Sequence, residues 1–198
     1  MTDIILASQS PRRQDLLKQV GINYRVVLSN GDENYAEGLT PEQIVAELSA
    51  RKADNVFDKV MSSDSFADKI AVIAADTIVA LDGKILGKPK DEKDAFNMLK
   101  SLSGKSHSVY TGVTILYAGS ARVSADSFVE HTKVCFHTLT DDEIKEYIAT
   151  GEPMDKAGAY GIQEKGAILV DKIEGDYYTI VGLPISKVYL SLKQNGCI

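Results

Sequence analysis

The sequence predicts an α/β fold in which helices flank a mixed β-sheet, and three observations lead to this prediction. Strand-like and helix-like segments alternate through the first half of the chain. The run IAVIAA at 70–75 is continuously apolar, which is typical of a central strand buried on both faces. The Asp82-Gly83 pair between IVAL and KIL indicates a β-hairpin, so antiparallel pairs join the parallel ones. A chain of 198 residues is also long enough for two lobes with a cleft between them.

The first half of the chain contains two helix starts with recognisable capping chemistry. Ser10 can cap a helix that has Pro11 at its first position and runs to Gly21. The segment Thr40-Pro-Glu-Gln is a capping box, and its helix extends to about Asp58. These helices alternate with three predicted strands, which are 3–7, 24–29 and 70–75.

The second half of the chain predicts longer strands and one unusual loop. The predicted strands are 107–117, 121–136, 166–173 and 177–181. The predicted helices are 91–102, 140–151 and a last one from about Pro184, and the helix 140–151 starts with a second capping box. The segment GEPMDKAGAYGIQEKG at 151–166 has neither helical nor strand periodicity. Polar, Gly-rich loops of this length usually bind a ligand or are disordered, and the Ala, Tyr and Ile residues here favour order.

The composition excludes several classes of protein. The chain carries 22 Lys and Arg against 28 Asp and Glu, and a net charge of −6 argues against general binding to nucleic acid or to an anionic membrane. Two cysteines without a CxxC pair, and three histidines without zinc-site spacing, predict neither a disulfide framework nor a structural zinc site. No segment resembles a signal peptide or a transmembrane helix, so we expect a cytoplasmic globular protein. Walker A, GxGxxG, GxSxG and HExxH patterns are absent as well.

Two adjacent arginines stand where the first helix begins. Cations are disfavoured there, since the N–H groups of a helix N-terminus already carry partial positive charge. Arg12 and Arg13, with the hydroxyls of Ser8 and Ser10 and the nearby backbone N–H groups, therefore form a candidate anion site. On the spacing alone, a solvated helix start explains the pair equally well.

Asp76 places a carboxylate directly after the apolar run. An unpaired buried carboxylate is costly, and ligands of α/β sheets gather at the carboxyl ends of strands. Asp76 is therefore a candidate Mg²⁺ ligand or general base, and the alternative is that it caps a turn. Lys88 has a constrained position in Gly-Lys-Pro, although most such lysines are solvated. Lys156 and Gln163 are the residues of the 151–166 loop that folding alone does not explain.

Several segments, taken together in order and spacing, resemble the Maf proteins, which are nucleoside triphosphate pyrophosphatases. The segments are LASQSPRRQDLLKQVGI, ARKA, AADTIVALDGKILGKPKD, LSGKSHSVYTGV and TGEPMDKAGAYGIQEKGA with IEGDYYTIVGLPI. The resemblance runs from Ile4 to about Leu190. It implies a single Maf-type domain over 1–198, with a fold similar to that of the inosine triphosphatases, in which a mixed sheet and two lobes surround a deep cleft.

The resemblance also implies an activity and the residues that carry it. The activity is hydrolysis of a nucleoside triphosphate between its α- and β-phosphates with a divalent metal cation, Mg²⁺ or Mn²⁺. Asp76 corresponds to the general base and to a metal ligand, and Glu33 is the second candidate for the metal or its waters. The residues expected to line the triphosphate are Ser8, Arg13, Lys52 and Lys88. A homodimer is compatible with the family.

Three positions resemble the relatives that act on dTTP and UTP rather than on 7-methyl-GTP. They are Arg12 of SPRR, Thr77 of ADT and Gln163 of YGIQ. An amide donates and accepts hydrogen bonds, which suits the carbonyls and single N–H of a pyrimidine-dione edge. The chain departs from many relatives at Glu164, where they have glycine, so we expect a modest change in the loop there.

Two other functions remain open at this stage. One is a non-enzymatic, nucleotide-binding regulator of septum formation, the role that the family name reflects, and it would not need Asp76. The other is a generic phosphosugar-binding α/β protein, which would not need Gln163. The enzyme hypothesis extends to base-modified pyrimidine nucleotides, in a house-cleaning role.

Overall fold

The computed structural model describes residues 2–30, 34–62, 67–119 and 122–198. Its strands are β1 (Asp3–Leu6), β2 (Arg25–Val26), β3 (Ile70–Leu81), β4 (Lys84–Leu86), β5 (Ser106–Gly119), β6 (Arg122–Phe136) and β7 (Val170–Glu174). Its helices are α1 (Pro11–Gln19), α2 (Pro41–Met61), α3 (Glu92–Leu102), α4 (Asp141–Ile148), α5 (Tyr177–Val181) and α6 (Ile185–Gln194). Three 3₁₀ turns lie between α4 and β7, at Glu152–Asp155, Ala157–Ala159 and Glu164–Leu169.

The strands form one seven-stranded mixed sheet, which confirms the predicted α/β fold class. The strand order is β2-β1-β3-β5-β6-β7, and β4 pairs with β3 as the second strand of the predicted hairpin. The strands β2, β1 and β3 are parallel, whereas β3 with β4 and β6 with β7 are antiparallel. The central position of β3 agrees with its apolar sequence, because Ile70 is 1% exposed and Ala71–Ala75 are fully buried.

The chain divides into two compact units, each with its own core. The first comprises residues 1–76, 111–129 and 182–198, and the second comprises 77–110 and 130–181. Side chains of β1, α2 and β3 form the core of the first unit, with Ile5, Val56 and Val72 fully buried. Side chains of α3, α4 and the strands around them form the core of the second, with Leu99 and Ile144 fully buried. The predicted cleft stays a prediction.

Within the first unit, α2 packs directly on the backbone of β5. A β-carbon at Gly112 would overlap the carbonyl group of Val45 in α2, so only glycine allows this close approach. Two residues further along β5, the hydroxyl of Thr114 lies 3.1 Å from that of Ser49 in α2. The helix is thereby fixed against the sheet by contact and by a buried hydrogen bond. α2 also carries Lys52, so this contact fixes the position of a predicted site residue.

Several predicted elements differ from the structure, each for a physical reason. The predicted strand 177–181 is wrong, because this segment is the helix α5. The Asp176 carboxylate accepts hydrogen bonds from the Thr179 N–H at 2.8 Å and from its hydroxyl at 3.0 Å, which stabilises a helical turn despite the β-branched and aromatic composition. The predicted strand 166–173 begins only at Val170, after a 3₁₀ turn, and the strand predicted at 24–29 is limited to Arg25–Val26.

Helix starts are predicted more accurately than strand ends. The capping boxes at Thr40 and Thr140 are both present, each with its reciprocal pair of hydrogen bonds. Ser10 occupies the N-cap of α1 with Pro11 after it, but its side chain makes no capping hydrogen bond. In the part of the chain that the structure describes, no helix is both long and apolar enough to cross a membrane.

Candidate functional site

The turn between β1 and α1 holds Arg13 in a defined orientation. Its Nη1 donates a hydrogen bond to Ser8 Oγ at 3.1 Å, and its Nε donates to the carbonyl oxygen of Gly182 at 2.8 Å. Ser8 Oγ also accepts from the N–H of Ser10 at 3.2 Å, so the hydroxyl that contacts the guanidinium is itself fixed. Arg12, one residue earlier, lies half-buried in the first turn of α1. Hydrogen bonds thus hold the Arg13 and Ser8 side chains in a defined arrangement, and binding of an anion at this turn stays a prediction.

Lys52 and Asp76 form an ion pair that is largely shielded from solvent. Lys52 Nζ of α2 lies 2.5 Å from Asp76 Oδ1 of β3, and the two side chains are 16% and 12% exposed. A carboxylate so far from water is stabilised by a neighbouring ammonium, which compensates its charge. Both residues were predicted site residues, and the structure brings them into direct contact.

The prediction that Asp76 stands at the end of a strand is wrong. β3 continues through Asp76 to Leu81, because the residues after it pair with β4 in the hairpin. Asp76 is therefore in the strand interior, where its ion pair rather than a turn satisfies it. The apolar run ends at Asp76 in the sequence, but a change of polarity does not end a strand whose partner continues.

The strand register brings Ser8 alongside the part of β3 that leads to Asp76. Leu6 of β1 is paired with Ile73 of β3, and the N–H of Ala7 donates to the Ile73 carbonyl at 2.8 Å. Neighbouring strands lie about 4.8 Å apart, so the chain that continues to Ser8 stays close to β3. Within the first unit, the segment that carries Ser8 thus follows the strand that is paired, in parallel, with the part of β3 that leads to Asp76.

The second unit contains the other predicted site residues, Thr77, Lys88 and Gln163. Thr77 is half-buried in β3 and Lys88 is exposed just after β4. Gly158 connects the 151–166 loop to β3, which carries Thr77, and to the turn before Lys88. Its N–H donates to the carbonyl of Gly87 at 3.0 Å, and a β-carbon there would lie 3.0 Å from Val79 Cγ1, at a φ of +70°. The loop therefore packs on β3 and on the turn that precedes Lys88.

The 151–166 loop is ordered by its own contacts, as its Ala, Tyr and Ile residues predict. Lys156, which the sequence left unexplained, ties the loop together: its Nζ donates to the Glu152 carbonyl at 2.6 Å and to the Asp155 carboxylate at 2.7 Å. Gln163 is half-buried at the N-cap of the last 3₁₀ turn, but its side chain makes no capping hydrogen bond. Its amide is thus not used for capping.

The metal prediction rests on Asp76 and Glu33, and Glu33 lies outside the described residues. Among the residues that the structure describes, no group of three His, Cys, Asp or Glu side chains could hold a metal ion. Mg²⁺ in phosphate-transfer sites typically takes only one or two carboxylates and completes its coordination with water and substrate phosphate. The carboxylate of Asp76 is a hard ligand of the kind that such a metal takes, and the metal site stays a prediction.

Two groups that hold the candidate site residues in place could not be identified from the sequence. The Gly182 carbonyl that holds Arg13 is 169 residues away along the chain, and no local pattern marks a backbone acceptor. Tyr147 reads as an ordinary apolar position of an amphipathic helix. In the structure its hydroxyl accepts a hydrogen bond from the N–H of Gly161 at 3.1 Å, two residues before Gln163. A tyrosine hydroxyl on the buried face of a helix is a weak signal for such a role, since it must find a partner.

Comparison with known proteins gives consistent matches along the chain. The chain is 49% identical to a dTTP/UTP pyrophosphatase of Carboxydothermus hydrogenoformans over 98% of both chains. It is 48% identical to a dTTP/UTP pyrophosphatase of Acetivibrio thermocellus, over 99% of this chain and 96% of that one. A protein of the same name from Bacillus pumilus is also 48% identical, over 99% and 98% of the two chains.

Among solved structures, the Ham1 protein of Staphylococcus aureus matches over 98% of this chain and 99% of that chain, with 14% sequence identity and a TM-score of 0.45. A TM-score below 0.5 does not establish a shared fold, so the predicted likeness to inosine triphosphatases stays a prediction. The model of the family described as "Maf-like protein" matches residues 3–195. That match covers the Ser8–Arg13 turn, the Lys52–Asp76 pair and the Gln163 loop alike, and the chain therefore belongs to the Maf-like protein family.

Proposed function

We propose that this protein hydrolyses dTTP and UTP to the nucleoside monophosphate and pyrophosphate. The observation that carries the proposal is the 48–49% identity, over nearly the whole chain, to proteins named dTTP/UTP pyrophosphatase. The geometry of the described residues supports it, because a hydrolase acting on a triphosphate needs fixed cations, a carboxylate and a means of recognising the base. The structure offers residues for each of these requirements.

Arg13, Lys52 and Lys88 are proposed to bind the triphosphate, with Ser8 as an orienting hydroxyl. Their local positive charge offsets a chain whose net charge is −6. Arg13 is held by Ser8 Oγ and the Gly182 carbonyl, so little rotamer freedom is lost when a phosphate binds. Preorganisation of this kind favours a defined position of the phosphate chain.

The proposed hydrolytic step is attack of water on the α-phosphorus. A new phosphorus–oxygen bond forms, the bond from the α-phosphorus to the bridging oxygen breaks, and pyrophosphate leaves with the electron pair. Asp76 accepts the proton of the attacking water, and Lys52 keeps the carboxylate oriented at 2.5 Å. A divalent cation, Mg²⁺ or Mn²⁺, held by Asp76 and Glu33 would supply charge neutralisation at the phosphates.

Gln163, with Arg12 and Thr77, is proposed to recognise the base. The edge of uracil or thymine presents carbonyl acceptors and one N–H donor, and an amide side chain can satisfy both kinds of group. A carboxylate at residue 163 would have no proton for the carbonyls. The absence of a capping bond from Gln163 supports this role, because a capping amide would already be engaged.

The substrate is a free nucleotide rather than a nucleic acid in this proposal. A net charge of −6 disfavours a polyanionic backbone, whereas a single triphosphate can be bound by a few local cations. The cytoplasmic location and the homodimer stay predictions from the sequence and the family.

The decisive experiment compares dTTP, UTP, CTP and GTP as substrates with Mg²⁺ and measures pyrophosphate release. We expect turnover of dTTP and UTP by the wild type, and a loss of at least about 10²-fold in Asp76→Asn, the usual range for a missing general base. Asp82→Asn is the matched control, since Asp82 is an exposed carboxylate in the hairpin turn that follows the same strand. Equal turnover of all four nucleotides, or none of any, would contradict the proposal.

The same variant tests the non-enzymatic alternative. A septum regulator that only binds nucleotide predicts that Asp76→Asn retains the cellular effect of the wild type on division. Loss of both hydrolysis and cellular effect in Asp76→Asn, with both retained in Asp82→Asn, supports the enzyme.

A further inference from the structure

The residues 161–165, which we call the Gln163 turn, are fixed at both ends by side chains from outside the turn. At one end the N–H of Gly161 donates to Tyr147 Oη of α4 at 3.1 Å. At the other end the N–H of Lys165 donates to Glu152 Oε1 at 3.4 Å. Gln163 lies midway between the two contacts, so its direction depends on both of them.

The ends of this turn also close tightly on each other. A β-carbon at Gly166 would overlap the carbonyl oxygen of Gly161 and lie 2.7 Å from Tyr147 Oη. Gly161 in turn is covered by the aliphatic part of Lys156, since a β-carbon there would lie 2.8 Å from Lys156 Cε. Neither glycine can move far toward its neighbours, and the Tyr147 hydroxyl stands at the point where the two ends meet. The Tyr147 hydroxyl therefore contacts both ends of the turn.

Of the two side chains that hold the turn, Tyr147 is buried and Glu152 is half-buried. Tyr147 is 3% exposed, and burial together with the charge of Glu152 raises the pKa of Tyr147 to about 12. A hydrogen bond between the Tyr147 and Glu152 side chains raises the pKa of Tyr147 as well, so the two residues that hold the turn also contact each other.

We infer that Tyr147 and Glu152 are positioning residues that direct the Gln163 amide, and thereby determine the preference for uracil- and thymine-containing nucleotides over cytosine-containing ones. The inference rests on the proposed function. It adds two residues that touch neither phosphate nor base in that proposal, and it assigns to them a specificity role rather than a catalytic one.

The first test is base discrimination, measured as the ratio of kcat/KM for UTP to that for CTP. Tyr147→Phe keeps the ring and loses the acceptor of the Gly161 N–H, so we expect this ratio to fall about tenfold, the effect of one lost buried hydrogen bond. KM for UTP should rise more than kcat falls. Glu152→Ala should behave likewise, whereas Glu152→Gln keeps an acceptor for the Lys165 N–H and should retain most of the discrimination.

The second test separates positioning from a general loss of stability. Tyr117→Phe is the matched control, because Tyr117 is also a buried tyrosine, 5% exposed, and its hydroxyl lies 2.5 Å from Ser191 Oγ in the first unit. The Tm of Tyr117→Phe and of Tyr147→Phe should fall by similar amounts, but only Tyr147→Phe should lose discrimination. A similar loss in both variants would overturn the inference.

The third test is a double-mutant cycle with Gln163→Ala. If Tyr147 acts through Gln163, adding Tyr147→Phe to Gln163→Ala should leave the UTP to CTP ratio unchanged. Additive effects of the two substitutions would contradict this. Failure of the proposed function has a different signature, namely a wild type without any preference for UTP over CTP, and the inference would then fail with it. A wild type that discriminates and a Tyr147→Phe variant that discriminates equally well would overturn the inference alone.

Discussion

Glu164 adopts a left-handed backbone conformation, with a φ of +56°, directly after Gln163. An L side chain costs about 1–2 kcal/mol in this region, whereas glycine adopts it without steric strain. The resemblance to Maf proteins singled out the same position, because many relatives have glycine there. The structure supplies a physical reason for such a preference, because the chain turns left-handed at this position, a conformation that glycine adopts without strain.

We expect Glu164→Gly to raise the free energy of unfolding by about 0.5–1 kcal/mol, since the relieved strain exceeds the backbone entropy that glycine gains in the unfolded chain. Urea unfolding followed by circular dichroism measures the difference. Glu164→Ala removes the same carboxylate but keeps a β-carbon, so it serves as the control and should show no gain. A Glu164→Gly protein less stable than Glu164→Ala would contradict the strain argument.

At the same scale, the sequence identifies the chemistry of site residues better than their partners. Arg13 was predicted at an anion site, and its contact with Ser8 lies within the same short motif. Its second contact, with the Gly182 carbonyl, depends on tertiary structure and has no signature in the sequence. Asp76 was a candidate because of its polarity after an apolar run, but its pairing with Lys52 needed the packing of α2 against β3.

At the scale of elements, the 151–169 segment is anchored to β5 and β6 by an aromatic cluster. Tyr160 Oη lies 2.7 Å from His107 Nε2, and the rings of His107 and Phe136 meet edge to face with centroids 5.0 Å apart. Burial lowers the pKa of His107 to about 4 from its ordinary value of 6.5. The anchor is therefore neutral at physiological pH and is weakened by protonation.

The sign of the pH dependence follows from these two pKa values. Between pH 6.5 and 4 the unfolded chain binds a proton at His107 that the folded protein does not, so stability falls as the pH is lowered through this window. The loss at pH 4 should approach roughly 3 kcal/mol, and it should be absent in His107→Gln. Urea unfolding at pH 7 and pH 4 measures this loss, and the difference between wild type and variant removes the contribution of the carboxylates.

The exposed His131 supplies the control for this comparison. Its Nε2 lies 2.9 Å from Ser108 Oγ, and the side chain is on the exposed surface of the sheet. His131→Gln should show the same acid sensitivity as the wild type. If His107→Gln also kept the full acid sensitivity of the wild type, the buried histidine would not be its cause.

The start of a helix is predicted best when the residues at that start make its capping hydrogen bonds. The two capping boxes place the starts of α2 and α4 correctly, because the signal and the hydrogen bonds involve the same few residues. The strand prediction for 177–181 is wrong for the opposite reason. Its β-branched and aromatic residues favour a strand in isolation, and a hydrogen-bonding carboxylate just before the segment overrode that weak propensity.

At the scale of the whole molecule, charge opposes the proposed substrate. The chain has a net charge of −6, and a nucleoside triphosphate is itself a strong anion. At low salt, where the Debye length is long, the net charge repels the substrate at a distance, while close to the proposed site the individual cations of Arg13, Lys52 and Lys88 attract it. These two effects have opposite signs and different ranges, so salt screens them at different concentrations.

We therefore expect kcat/KM for dTTP to pass through a maximum as the KCl concentration increases, with the divalent cation held constant. From about 0.01 M to 0.1 M salt the Debye length shortens from about 30 Å to about 10 Å, which removes long-range repulsion and raises kcat/KM. Toward 1 M it approaches about 3 Å, which weakens the local attraction and lowers kcat/KM through a higher KM. Lys88→Met should flatten the decline at high salt, because one exposed cation is gone, while the rise at low salt persists. A kcat/KM that falls steadily from the lowest salt would mean that the cations of the site, rather than the net charge of the chain, dominate the approach of the substrate.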